Sequence, residues 1–176
     1  DALAYFHSDR MIRRFVATID NLPRQEAPAG KMPVKPVGGP FLVERNSAGM
    51  TIDPANARRY VRYLEIMAAV DVRRLVDLYV GFYPAFQQAY RELGYPHGRF
   101  NDRVVDTLDD LLATPDVAPP IAVTQPKVLY EFADPALEKR SAGQKIMLRM
   151  GADNMARAKR LLSAIRSELL RRSPGK

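Results

Sequence analysis

Leu75-Val76-Asp77-Leu78-Tyr79-Val80-Gly81-Phe82-Tyr83-Pro84-Ala85-Phe86-Gln87-Gln88-Ala89-Tyr90-Arg91-Glu92-Leu93-Gly94-Tyr95-Pro96-His97-Gly98-Arg99-Phe100-Asn101-Asp102 is the stretch whose periodicity decides the fold class. Stepped at about 100° per residue, Val72, Leu75, Val76, Tyr79, Phe82, Tyr83, Phe86, Tyr90 and Leu93 project within a third of a turn, which predicts a helix with one buried face. Asp71 can cap its start, and Gly94 with Pro96 ends it. Pro84 removes the bond to the carbonyl of Val80, so a bend near Gly81 is predicted, with Pro84 on the convex side. Asn101 is expected to cap the next helix, whose Val104, Val105, Leu108, Leu111 and Leu112 face inward until Pro115 breaks the pattern.

Toward the N-terminus, Ile12, Phe15, Val16, Ile19 and Leu22 predict a helix capped at Ser8 or Asp9 and ending near Asn21. Residues 23–40 hold five prolines and three glycines. They predict an extended strap, since proline lacks the N–H that a helix needs. Phe41 to Arg45 and Gly49 to Ile52 flank Asn46-Ser47-Ala48 as a β-hairpin, and Asp53-Pro54 opens a helix to about Val70. Toward the C-terminus, Ile121-Ala122-Val123 and Val128 to Phe132 read as strands able to join the hairpin. Asp134-Pro135 repeats the cap-then-proline device, Ser141 caps a turn set through Met150, and Gly151 separates it from a last helix beginning near Ala152. That helix carries the stripe Met155, Ala158, Leu162, Ile165 and Leu169. The fold class expected is mainly α (α+β): one domain over residues 1–176, with six or so helices around one core and a small antiparallel sheet.

A chain of 176 residues can bury about two-thirds of its unfolded surface, so no metal or disulfide staple is required. The absence of cysteine excludes thiol nucleophiles, thiolate zinc sites and disulfides. The longest uncharged run, 13 residues from Leu78 to Tyr90, falls short of the roughly 20 apolar residues that span a bilayer. The net charge of +7 is uneven: residues 136–176 carry +8 and the first 135 carry −1. A basic surface concentrates anions, but a surplus of this size on helices is ordinarily a solvated face.

The chemistry-bearing residues are few. The two histidines, His7 and His97, belong to no His-Glu-x-x-His run, and neither Gly38-Gly39-Pro40 nor Gly143-Gln144-Lys145 has the spacing of a phosphate loop. No Gly-x-Ser-x-Gly elbow occurs. Asp102, Asp106 and Asp109 share a helix face that can present carboxylates to a cation, although acids near a helix N-terminus are also plain dipole partners. Glu92, Glu131 and Asp134 are carboxylates that glycoside hydrolysis could use. No metal, cofactor or catalytic residue is assigned. The candidate binding site is the loop holding Tyr95, His97, Arg99, Asn101 and Asp102. Arg99 is a possible anion clamp, His97 an acid or base, Tyr95 and Phe100 stacking surfaces, and Asn101 a cap beside exposed N–H groups. The blander reading gives Pro96 and Gly98 the turn, Phe100 the core and Asn101 the cap. Arg157, Arg160 and Arg171, clustered on one side of the last helix, form a candidate basic surface.

Longer words carry a resemblance: Arg13-Arg14-Phe15-Val16-Ala17-Thr18-Ile19-Asp20-Asn21-Leu22-Pro23-Arg24, Phe86-Gln87-Gln88-Ala89-Tyr90-Arg91-Glu92-Leu93-Gly94-Tyr95-Pro96, Phe100-Asn101-Asp102-Arg103 and Pro126-Lys127-Val128-Leu129-Tyr130-Glu131-Phe132-Ala133-Asp134-Pro135. With Ser141-Ala142-Gly143-Gln144-Lys145 and Leu148-Arg149-Met150-Gly151, they cover nearly the whole chain. The sequence resembles the proteobacterial domain-of-unknown-function family 3014. Members typically carry an N-terminal membrane-spanning segment and a Pro/Ala-rich spacer, so the resemblance implies a periplasmic domain tethered to the inner membrane through a segment absent from this chain. It implies no activity and no catalytic residues. The expectation is a non-catalytic binding or scaffold domain of the cell envelope, whose partner is an envelope protein, a cell-wall polymer or anionic headgroups. The alternative is a hydrolase acting on an envelope polymer. Nucleic acid, through the arginines of the last helix, is the least favoured partner.

Overall fold

The computed structural model describes residues 8–25 and 38–172. Eight α-helices are seen among them: α1 (Ser8–Asn21), α2 (Arg58–Ala68), α3 (Val72–Gly81), α4 (Tyr83–Glu92), α5 (Phe100–Leu112), α6 (Pro135–Glu138), α7 (Ala142–Arg149) and α8 (Ala152–Arg172). Four short strands, β1 (Val43–Asn46), β2 (Gly49–Ile52), β3 (Ala122–Thr124) and β4 (Glu131–Phe132), form one antiparallel sheet in chain order. The fold is therefore mainly α with a small antiparallel sheet, and β3 and β4 do join the hairpin. Most of the expected strap, residues 26–37, lies outside the described residues, as do His7 and the side chains of the expected caps Ser8 and Asp9. Among the described residues no helix is long and apolar enough to cross a membrane.

The long aromatic helix expected over residues 71–93 is two helices. Phe82, at φ −98° and ψ 6°, leaves the helical path between α3 and α4. Pro84 falls in the first turn of α4, where a missing N–H costs nothing, so it starts a helix instead of bending one. The break also divides the apolar stripe: Val76 and Tyr90 are buried and Tyr79 and Phe86 pack against the core, while Leu75, Phe82 and Leu93 are exposed. The helix expected from Pro54 opens instead as a 3-10 turn over Pro54–Ala57. Buried Asn56 explains the tightening: its amide donates to the carbonyls of Leu42 and Asp53, and its Oδ1 accepts from the Leu42 N–H, tying the turn to the approach to β1.

The strand expected over residues 128–132 shrinks to Glu131–Phe132. Val123 faces Phe132 and Thr124 faces Glu131, so the ladder could add only Gln125 opposite Tyr130 before reaching Pro126, which has no N–H to give it. Val128 and Leu129 stand 85% and 76% exposed on the connecting loop.

Among the described residues the core has three parts. In the largest, Phe100 is wholly buried, with the rings of Phe15, Tyr79, Phe86 and Tyr90 at centroid distances of 5.4–6.4 Å. A second joins α2, α7 and α8 through Leu64, Met147, Met155 and Ala158. A third seats Phe132 of the sheet on Leu137 and Leu148. The predicted stripe of α8 serves the first two, with Leu162 packing against both. Gly143 lets α7 approach α1: its N–H donates to the Leu22 carbonyl at 2.9 Å, and a Cβ there would meet Leu111 at 2.5 Å.

Candidate functional site

The loop between α4 and α5 begins at Gly94, whose φ of +119° suits glycine and turns the chain away from α4. It ends where Phe100, the first residue of α5, drops into the core. This placement corrects the role expected of Asn101. Asn101 is the second residue of the helix and buried, the N-cap is Arg99, and the Arg99 side chain makes no capping bond. Gln87, reaching across from α4, does the capping. Its Oε1 accepts from the Phe100 N–H at 2.8 Å and from the Tyr83 hydroxyl at 2.9 Å, while its Nε2 donates to the Gly98 carbonyl at 2.7 Å. Asn101 instead receives a long bond, 3.4 Å, from the Tyr79 hydroxyl. Burial of Tyr79 is the main cause that drives its pKa well above the ordinary tyrosine value, with Tyr83 and the Asp102 charge adding to it.

Tyr95 is the hinge of the corner. Its ring stacks on Tyr90 at 4.5 Å and 16°. Its hydroxyl donates to Asp20 Oδ2 at 3.2 Å and accepts from Arg24 at 2.6 Å. Asp20, only 4% exposed, sits at the end of α1 and is held from two sides. Arg24 donates to Oδ2 at 2.7 Å, Arg103 of α5 donates to Oδ1 at 3.2 Å, and both guanidiniums also reach the Asp20 backbone carbonyl. A carboxylate this deep requires such pairing, because an isolated buried charge is strongly disfavoured. Burial, followed by the negative charge of Asp20, raises the pKa of Tyr90 above the ordinary value. Around this braced base, His97, Arg99 and Asp102 are exposed to solvent.

The other candidates separate. Arg157 and Arg160 are exposed on α8, whereas Arg171 pairs with Glu168 of its own helix. Asp109 is held by Arg166, and among the described residues no group of three or more His, Asp or Glu is placed to hold a metal ion. Glu92 pairs with Arg13 at 3.1 Å, and Asp134 caps α6 by accepting from the Ala136 N–H.

A second charged cluster, beside the sheet, was not foreseen. The Arg149 guanidinium lies over the rings of Phe41 and Phe132 at 5.7 and 5.2 Å and donates to the Tyr130 carbonyl. Burial lowers its pKa, opposed by the charges of Glu138 and Tyr60. Burial also pushes Glu138 up, but hydrogen bonds from Lys145 and the Phe132 N–H, with the positive charges of Lys145 and Arg149, outweigh it and leave its pKa below the usual value.

A family model described as "Protein of unknown function (DUF3014)" matches residues 11–166. The chain belongs to the DUF3014 family. No curated protein and no solved structure matches it. The matched span of this DUF3014 domain runs from α1 into α8 and includes Asp20, Arg24, Gln87, Tyr95 and Arg103. Of the groups that hold Asp20, Arg24 has a spacing visible in sequence, four residues away at a helix end. Arg103 meets Asp20 across 83 positions, so no local pattern could have joined them.

Proposed function

We propose that this DUF3014 domain is a non-catalytic binding or scaffold module of the bacterial cell envelope, working in the periplasm beside the inner membrane. The loop over residues 94–99 presents its ligand-facing side chains. The observation that carries the reading is the contrast between the loop's base and its tip. The base is fixed by Gln87 at Gly98 and Phe100 and by Tyr95 at Tyr90, Arg24 and Asp20, while His97 and Arg99 remain exposed. A loop already held in one shape loses little entropy on binding, so two cationic-capable side chains on it suit an anionic group of a wall polymer, a headgroup or an envelope protein. The buried acid and phenol favour binding over acid-base chemistry, since Asp20 and the Tyr95 hydroxyl are already engaged with each other and with two arginines. The envelope location rests on the resemblance of the sequence to tethered members.

Cosedimentation with isolated cell-wall sacculi and with phosphatidylglycerol vesicles tests this, using the wild type and His97→Ala/Arg99→Ala. The double variant should bind at least about tenfold more weakly, with unchanged thermal stability. Equal binding by both proteins, or none by either, would overturn the loop's role. Release of soluble fragments from the sacculi would replace the binding reading with a hydrolase.

A further inference from the structure

The pairing register lines up Arg45, Met50, Val123 and Phe132 across the four strands, so their side chains share one face of the sheet. Val123 and Phe132 are buried, and Phe132 packs on Leu137 and Leu148, so this is the face turned to α6 and α7. Glu44 and Glu131 fall on the alternate positions, on the other face. The sheet keeps its acids on one side and an arginine on the other. Under the inner face, Tyr130 joins that arginine to Arg149 of α7. Arg149 gives a hydrogen bond to the Tyr130 carbonyl at 3.0 Å, and Arg45 gives one to the Tyr130 hydroxyl at 3.3 Å. The Tyr130 ring packs on Phe41 at 5.6 Å, and the partly buried Arg149 guanidinium lies over Phe41 and Phe132. Arg24, Arg103 and Arg166 each meet a carboxylate, whereas among the described residues neither Arg45 nor Arg149 forms an ion pair. Glu138, the acid whose charge acts on Arg149, accepts from Lys145 with one oxygen and from the Phe132 N–H with the other. Lys145 thus cancels Glu138, and the two arginines remain in surplus.

We infer that Arg149 and Arg45 hold a phosphate monoester on this inner face, beside the rings of Phe41 and Tyr130. A guanidinium packed on aromatic rings keeps its N–H edge in a fixed plane, and that fork matches two oxygens of a phosphoryl group. A phosphate monoester carries about −1.5 to −2 near neutral pH. It therefore balances both arginines, where a carboxylate would balance one, and the rings suit the carbon side of the ester. Burial already disfavours the Arg149 charge and lowers its pKa, so an anion against it offsets that cost. The site is built from the sheet and α7, and the inference is independent of the loop over residues 94–99.

Phenyl phosphate is the probe, titrated into the whole chain at constant ionic strength and followed in nitrogen–proton correlation spectra. The Nε–H signals of Arg149 and Arg45 should shift and saturate at about millimolar concentration or below. Arg45 is exposed, so Arg45→Ala should keep the wild-type circular dichroism spectrum while binding about tenfold more weakly, the loss of one hydrogen bond to a charged group. Arg149→Lys keeps the charge without the fork and should weaken binding at least as much. No saturable shift, equal affinity in Arg45→Ala, or shifts confined to residues 94–99 would overturn the inference. Phosphatidic acid vesicles then distinguish the source of the phosphate. Cosedimentation that phenyl phosphate competes away and Arg45→Ala weakens would place it on a lipid headgroup, whereas saturable phenyl phosphate binding without cosedimentation would place it on a soluble ester.

Discussion

Asp20 is a buried acid whose stability depends on three neighbours at once. Replacing it with alanine removes the acceptor of Arg24, Arg103 and Tyr95 together and leaves a partly buried guanidinium without its counter-charge. Urea denaturation should show Asp20→Ala destabilised by about 3 kcal/mol or more. Arg24→Ala should lose much less, about 1 kcal/mol, because its side chain is half exposed. A loss for Arg24→Ala as large as that for Asp20→Ala would contradict the ranking. Titration gives two further expectations with opposite signs. Tyr79 and Tyr90 have folded pKa values above the ordinary value of 10, so their contribution is whole below pH 10 and is lost as pH rises past it. Alkaline unfolding should therefore accompany the last phenolates to form, which absorbance and circular dichroism followed together would show. Glu138 has a folded pKa below its ordinary 4.5, so its contribution is present above that value and is lost as pH falls through it. Glu138→Gln should flatten the acid limb of the stability profile. An unchanged limb would mean that the cluster beside the sheet contributes nothing there.

Helix ends were readable where the device is local and hidden where it is not. Asp53, Asp71, Asp134 and Ser141 each accept from an N–H two or three residues ahead, a geometry that the chain fixes by itself. Asn101 looks the same in sequence, yet the cap of α5 arrives from Gln87 in another helix, and Asn101 moves one step inside. Gln87→Leu should cost about 1–3 kcal/mol, because the Phe100 N–H and the Gly98 carbonyl lose their partner. Hydrogen exchange at Phe100 should rise with it; unchanged protection would count against Gln87 as the brace. Between α7 and α8, Gly151 holds φ at +87°, and a Cβ there would meet Ala57 at 3.2 Å. Gly151→Ala should therefore lower stability by about 1–2 kcal/mol, whereas Gly81→Ala, with open space and no positive φ, should not.

At the scale of the molecule, α8 is the element on which the rest converges, since its one stripe serves both the aromatic core around Phe100 and the methionine-lined cluster with α2 and α7. Ending the chain at Ala158 removes Leu162, Ile165 and Leu169. It should leave helical content with few dispersed methyl resonances; a native-like spectrum would show the two clusters to be independent of α8. By itself, the sequence determined the helical class, the hairpin, the four local caps and the inward stripe of α8, because each follows from periodicities and bonds spanning only a few residues. It also marked the loop from Tyr95 to Asp102 as the place where polar and aromatic side chains gather. Only the tertiary structure decided that the aromatic helix divides at Phe82, leaving apolar side chains outward, and that Tyr95 is locked to Asp20 and Arg24, with Arg103 holding the other oxygen of the same acid. Those outcomes depend on which of several comparable surfaces wins the space against α1, α5 and α8, a choice made by packing between residues far apart in the chain.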